Sequence, residues 1–189
     1  MYQKLHSLDL IVEKLDIALI QQKQNDLNVP LNTKSSTDKA TNKVFVVHGH
    51  NESAKNNLDI FLRENGLEPI VLHRQADEGL TIIEKFEKHS EVGYAFILLT
   101  PDEIAYLKAE DSKPDDERKK EYRARPNVIF EFGYFIGKLG RSRVCCLHTG
   151  NVSLPSDVNG MIYKSFNNNN IEEAAYSILK DLRAAGYKV

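Results

Sequence analysis

From Lys43 onward, short continuous apolar runs alternate with amphipathic stretches. KVFVV (43–47), PIVL (69–72), YAFILLT (94–100), VCCLH (144–148) and MIYKSF (161–166) read as five strands. The central ones are apolar enough to be buried on both faces. Between them apolar residues recur at helical spacing. Ala54, Leu58, Phe61 and Leu62 predict a helix over 54–64, with Gly66 placed to end it. Leu80, Ile83 and Phe86 predict the inner face of a helix over 80–91. In PNVIFEFGYFIGKL (126–139), Pro126 suits a first helical position and Gly140 a C-terminal cap. That helix is apolar nearly all round, so it is expected to be buried, with Gly133 and Gly137 allowing close approach to the sheet. An amphipathic helix over 171–185 completes the pattern.

Strands alternating with helices predict an α/β fold: a flavodoxin-like five-stranded parallel sheet with right-handed crossovers, ordered 2-1-3-4-5. Ligands of such sheets lie beyond the carboxyl ends of the strands, near the switch between strands 1 and 3. This rule selects His48–Asn51 after strand 1, His73–Gly79 after strand 2, Thr100–Pro101 after strand 3, and the helix start at Asn127–Glu131.

Three domains or segments follow from the texture. Residues 1–24 read as an N-terminal amphipathic helix, with Leu5, Leu8, Val12, Leu15 and Leu19 forming a seam over residues 2–23. That seam suits either packing on its own domain or self-association. Residues 25–42 are polar, turn-rich and aperiodic, as in a linker. Residues 43–189 form the main domain. Inside it, residues 101–125 are a long excursion dense in both charge signs, expected to hold a short helix around Glu103–Ala109. Such a loop is either functional or a solvated insertion.

Composition narrows the partners. Net charge is −2, with 41% hydrophobic and 28% charged residues. No basic excess suggests nucleic acid or an anionic membrane surface. No apolar run approaches the roughly 20 residues of a membrane span. The start MYQKLHSLDL lacks a signal-peptide core. Cys145 and Cys146 are adjacent in a strand, so their side chains face opposite ways and suggest neither a disulfide nor a metal clip. A reducing cytoplasm is expected.

Several chemistries fail at the ligand edge. HGHNES after strand 1 is not a glycine-rich phosphate loop. Leu-Thr-Pro ending strand 3 is not the acidic site of a receiver domain. His48, His50 and His73 could be imagined around a metal, but no carboxylate spacing near them matches a metal motif, and no metal is expected. Glu84, Glu87 and Glu91 form a stripe apart from the apolar face. They are either a solvated face, with Glu84 paired to Lys88 for about 0.3–0.5 kcal/mol, or a site residue and its neighbours. Only Glu84 lies near the helix start, at the ligand edge. A lone carboxylate there suits a glycosidic carbon, where it can stabilise an oxocarbenium-like transition state or orient a ribose hydroxyl. Glu131, inside an apolar helix, needs a partner. It either ties the helix to backbone or to Arg123 or Arg125, or contacts a ligand.

KVFVVHGHN, GLTIIEKFE, YAFILLTPDE and ARPNVIFEFGYFIGKLGR, in that order and spacing, resemble the bacterial TIR-like domain of predicted nucleotide-binding proteins. That group includes the TIR domains of TIR-STING and Pycsar effectors in anti-phage defence. The resemblance runs from Lys43 to the C-terminus and implies a TIR fold and hydrolysis of NAD at the nicotinamide–ribose bond, with NAD as substrate and no cofactor. It places the family's catalytic glutamate at Glu84. It also implies nucleotide contacts from His48, Gly49, His50 and Asn51 and from Ala76, Asp77, Glu78 and Gly79, with Asn127 and Glu131 bordering the site; Thr100 joins the expected contacts through its place after strand 3. Members usually carry a cyclic-nucleotide sensor, for which residues 1–42 are too short. Activity is therefore expected in homo-oligomers, built through TIR surfaces and helix 2–23, or with a separate sensor protein. Two rivals stand beside this reading: a non-enzymatic nucleotide-binding or interaction module, and a nucleoside deoxyribosyltransferase-like enzyme.

Overall fold

The computed structural model describes residues 42–72, 82–155, 163–167 and 170–189, all within the compact unit Ala40–Val189. The helix expected over residues 1–24 and nearly all of the 25–42 linker lie outside the described residues.

Five parallel strands form the sheet. They are β1 (Lys43–His48), β2 (Glu68–Val71), β3 (Ala95–Leu99), β6 (Val144–Thr149) and β7 (Tyr163–Phe166), in the spatial order β2-β1-β3-β6-β7. This is the order 2-1-3-4-5 expected from the alternating pattern. Four helices cross over it: α1 (Glu52–Glu64), α2 (Ile82–His89), α3 (Pro126–Leu139) and α4 (Glu172–Ala184). Every residue of β3 is buried, as the middle of a sheet covered on both faces requires.

Period-two alternation divides the core. Val44, Val46, Phe96, Leu98 and Leu147 meet Leu58 and Leu62 of α1 and Ile178 and Leu182 of α4 on one face. Phe45, Val47, Ile97 and Leu99 meet Phe86 of α2 and Val128, Phe132 and Phe135 of α3 on the other. Cys145 belongs to the first cluster and Cys146 to the second, as adjacent strand residues must. Phe86 anchors α2. Its ring sits 5.6 Å from Phe45, 4.8 Å from Tyr134 and 5.5 Å from Phe135, all near edge-to-face. Such pairs add about 0.5–1.5 kcal/mol each beyond burial.

The amino edge of the sheet is locked by a polar knot. Ser90, fully buried just past α2, donates to the Glu87 carbonyl (2.8 Å) and hydrogen-bonds the Tyr134 hydroxyl (3.1 Å). Lys138 of α3 donates to Ser90 Oγ (2.9 Å) and to Glu91 (2.6 Å). Glu91 of the acidic stripe is thus occupied in holding α2 to α3.

Two expectations are corrected. α3 has the bounds expected, with Pro126 in its first turn and Gly140 capping it at φ 77°. It is not buried all round, however. Only Val128, Phe132 and Phe135 are covered, while Phe130 is 66% exposed. Gly133 and Gly137 face open space, with nothing within 4 Å of a Cβ at either, so they make no close approach to the sheet. The excursion also differs. Glu103–Ala105 is a strand, β4, paired antiparallel with β5 (Glu121–Arg123), and the helical turn is confined to Lys108–Glu110. Between them Tyr106 donates to Asp111 (3.0 Å) and lies under the Arg118 guanidinium (4.7 Å).

Candidate functional site

Parallel register brings the ends of β1, β3 and β6 side by side, with His48 beside Leu98 and Leu99 beside His148. The chain leaves β1 through Gly49 and His50 and enters α1 at Asn51. There His48 Nδ1 donates to the Gly49 carbonyl (2.7 Å). Asn51 is the N-cap of α1, its Oδ1 accepting from the Ala54 N–H (3.0 Å). Its side chain therefore has a structural task at the position expected to contact nucleotide. Asn51→Ala is expected to cost about 1 kcal/mol of stability while Asn51→Asp costs little, because aspartate caps as well as asparagine. Denaturant midpoints of the two variants check this.

β3 is followed by Thr100, fully buried, then Pro101 and Asp102. Asp102 joins three segments. Its Oδ1 accepts from the His50 N–H (3.1 Å) and the Thr100 hydroxyl (2.9 Å). Its own N–H donates to Arg123 O (3.0 Å) at the base of the β4–β5 hairpin and to Thr100 O (2.8 Å). Among the described residues, its buried Oδ2 has no hydrogen-bond partner. Gly49 is the floor under this carboxylate: a Cβ at position 49 would overlap Oδ2 and lie 2.7 Å from Cγ. The sequence reading selected His48, Gly49, His50, Asn51 and Thr100 but missed Asp102. The available signal was an acidic residue two positions past a strand end on the ligand edge.

Glu84 lies in the first turn of α2 and is exposed. α2 connects β2 to β3, so its start lies on the carboxyl edge. Phe86, two residues on, is buried in the aromatic cluster and turns Glu84 outward. Glu87 is likewise exposed, a turn further from that edge.

Asn127 is exposed in the first turn of α3. Glu131, one turn on, is half-buried between the covered positions Val128 and Phe132. Among the described residues it has neither a hydrogen bond nor an ion pair. Arg123, one partner expected for it, is bound instead to Glu121 (3.0 Å). Burial pushes the Glu131 carboxyl up to about 7, with the charge of Arg125 pulling weakly the other way. A carboxyl raised by burial at the carboxyl edge of a sheet is a candidate functional position. His148 at the end of β6 was also missed. Burial lowers its imidazole below the usual range, and its ring packs edge-on to Tyr163 at 6.3 Å. Ala76, Asp77, Glu78 and Gly79, with His73, lie outside the described residues. Among the described residues no His, Cys, Asp and Glu cluster is placed to hold a metal.

Residues 43–168 match the CAP12/Pycsar effector protein TIR domain family, over about two thirds of the chain. The chain belongs to this family. This TIR domain is 43% identical over 122 residues to Uncharacterized protein YuaY of Escherichia coli, covering 64% of this chain and 38% of that protein. It is 40% identical over 131 residues to Protein tirC of Dictyostelium discoideum, covering 66% of this chain and 64% of that protein. A shorter match, 44% over 46 residues, covers 24% of this chain and 15% of CD-NTase-associated protein 12 of Niabella drilacis. The chain thus spans less than two thirds of the length of each relative. Among the described residues of the TIR domain, no helix is long and apolar enough to cross a membrane.

Proposed function

We propose that this TIR domain hydrolyses NAD+ at the nicotinamide–ribose bond. The observation that carries the reading is Glu84: an outward carboxylate in the first turn of α2, on the carboxyl edge of the sheet, on a helix pinned by Phe86. The C1′–N bond breaks heterolytically and its electron pair goes to the pyridinium nitrogen, so nicotinamide leaves neutral and needs no general acid. Glu84 stabilises the positive charge that grows on the ribose. Water then adds to C1′ and releases a proton, giving ADP-ribose; capture by an internal nucleophile instead gives a cyclic product. His48–Asn51 and Ala76–Gly79 contact the nucleotide, Asn127 and Glu131 border it, and the buried Thr100, expected among the contacts, lies behind them with its hydroxyl on Asp102. Nicotinamide release from NAD+ by the full chain at high protein concentration, wild type beside Glu84→Gln, tests this. A folded wild type that binds NAD+ but never releases nicotinamide overturns it.

One observation favours an interaction role beside the enzyme. Ile104, Leu107 and Tyr122 of the hairpin segment and Phe130 of α3 are exposed at 61, 66, 41 and 66%. Exposed apolar groups of this size suit association where they gather in one patch. In this reading turnover belongs to assemblies of the chain in a cytoplasmic anti-phage effector, with residues 2–23 contributing. The name of the Niabella relative supports a separate nucleotide-signalling partner. A module that is only an interaction partner self-associates equally well as Glu84→Gln and releases no nicotinamide.

A further inference from the structure

We propose that Asp102 is a positioning residue for nucleotide binding: its carboxylate, seated on Gly49, fixes the His48–Asn51 turn to the end of β3. The proposal rests on the NAD-hydrolase reading for its ligand, but the tether itself is geometric. The turn after β1 is bonded within itself and to α1, through His48 to the Gly49 carbonyl, the Glu52 N–H to the His50 carbonyl, and Asn51 to Ala54; Asp102 ties it across to the next strand end. His50 is exposed, and its N–H is tied to Asp102 Oδ1. Thr100 donates to the same oxygen from β3, and the Asp102 N–H carries the tie onward to Arg123 in the hairpin. The ladder sets the spacing of the strands themselves, and this one side chain links the segments that leave them at the topological switch, where ligands of this fold class sit.

Gly49 and Asp102 form a matched pair. The carboxylate lies so close over Gly49 that any side chain there must displace it. Among the described residues the buried Oδ2 meets no donor, which costs stability. Oδ1 offsets that cost by holding two donors, one past the end of β1 and one past the end of β3. The role asks only for an acceptor at Oδ1, which asparagine also provides.

The test uses the full chain as wild type, Asp102→Asn, Asp102→Ala, Gly49→Ala and the Asp102→Ala/Gly49→Ala double variant. Two readouts are taken: kcat and KM for nicotinamide release, and amide exchange of His50 without NAD+. Hydrogen bonds to charged acceptors translate into a rise in KM of about tenfold for Asp102→Ala, with kcat changed less. Asp102→Asn is expected to stay within about threefold of wild type, since it keeps the acceptor. Gly49→Ala is expected to resemble Asp102→Ala, yet to add under about twofold once Asp102 is already alanine, the non-additivity of residues that share one contact. Should Asp102→Ala fail to fold, Gly49→Ala reaches the same node with the carboxylate intact. An unchanged KM in Asp102→Ala, or an Asp102→Asn as impaired as the alanine variant, overturns the proposal while leaving the hydrolase standing. If wild type releases no nicotinamide, the hydrolase reading fails and His50 exchange decides the tether. Faster exchange in Asp102→Ala and wild-type exchange in Asp102→Asn support it; equal exchange in all overturns it.

Discussion

Glutamine at position 84 is expected to lower nicotinamide release from NAD+ by about 10²–10³-fold, the usual cost of removing one preorganised electrostatic group. The substitution is nearly isosteric and the side chain is exposed, so the melting temperature should stay within a degree or two of wild type. The loss falls on kcat more than on KM, because the charge is needed when the ribose becomes cationic and hardly before. Glu87→Gln, one turn along and equally exposed, is the matched control. A solvated acidic face predicts the same negligible effect for both, whereas the catalytic reading predicts that only Glu84→Gln loses turnover. The assay is steady-state nicotinamide release, with circular dichroism melts on the same samples.

Glu131→Gln is expected to stabilise the protein at pH 8 by about 2–3 kcal/mol and to change nothing at pH 4. The ordinary carboxyl value is 4.5, and in the folded domain burial raises Glu131 to about 7. Below pH 4.5 both folded and unfolded chains hold the proton, and burial costs no charge. Between 4.5 and 7 the unfolded chain gives up its proton and the folded one keeps it, so stability falls as pH rises. Above 7 the folded state carries a desolvated anion with no ion pair among the described residues, and the full cost is present. Glutamine resembles the protonated form at every pH and removes this dependence. Urea unfolding of wild type and variant at pH 4, 6 and 8 measures it. A difference that does not grow with pH would show that the group ionises freely in the fold.

The sheet was legible because its strands are continuous apolar runs bounded by turn residues. KVFVV and YAFILLT admit little else, and βαβ connections then leave few possible orders. The bounds of α3 were legible through Pro126 and Gly140. Its exposure was not. The sequence shows that Ile129 and Phe130 are apolar but carries no account of which neighbours cover them. β4 and β5 were invisible for a different reason. EIA and EYR are three residues long and mixed in polarity, and they are held by pairing across a long loop rather than by any local period. EIAYLKA has helical spacing, and that distant pairing overrides it. The candidate site divides in the same way. Glu84 follows from an apolar face plus chain direction, both local. Asp102 follows from a meeting of β1, β3 and the hairpin, which only the fold displays.

The two adjacent thiols give the domain a built-in reporter. Cys145 and Cys146 are both essentially inaccessible, one beneath α1 and α4 and the other beneath α2 and α3. Burial raises both above the usual thiol range, Cys145 to about 12, so neither offers a thiolate at neutral pH. A maleimide added to the native domain therefore waits for the sheet itself to open. Single Cys→Ser versions would then time the exposure of each face separately, turning the rate of dye capture into a clock for whether the two helical layers come off together or in sequence.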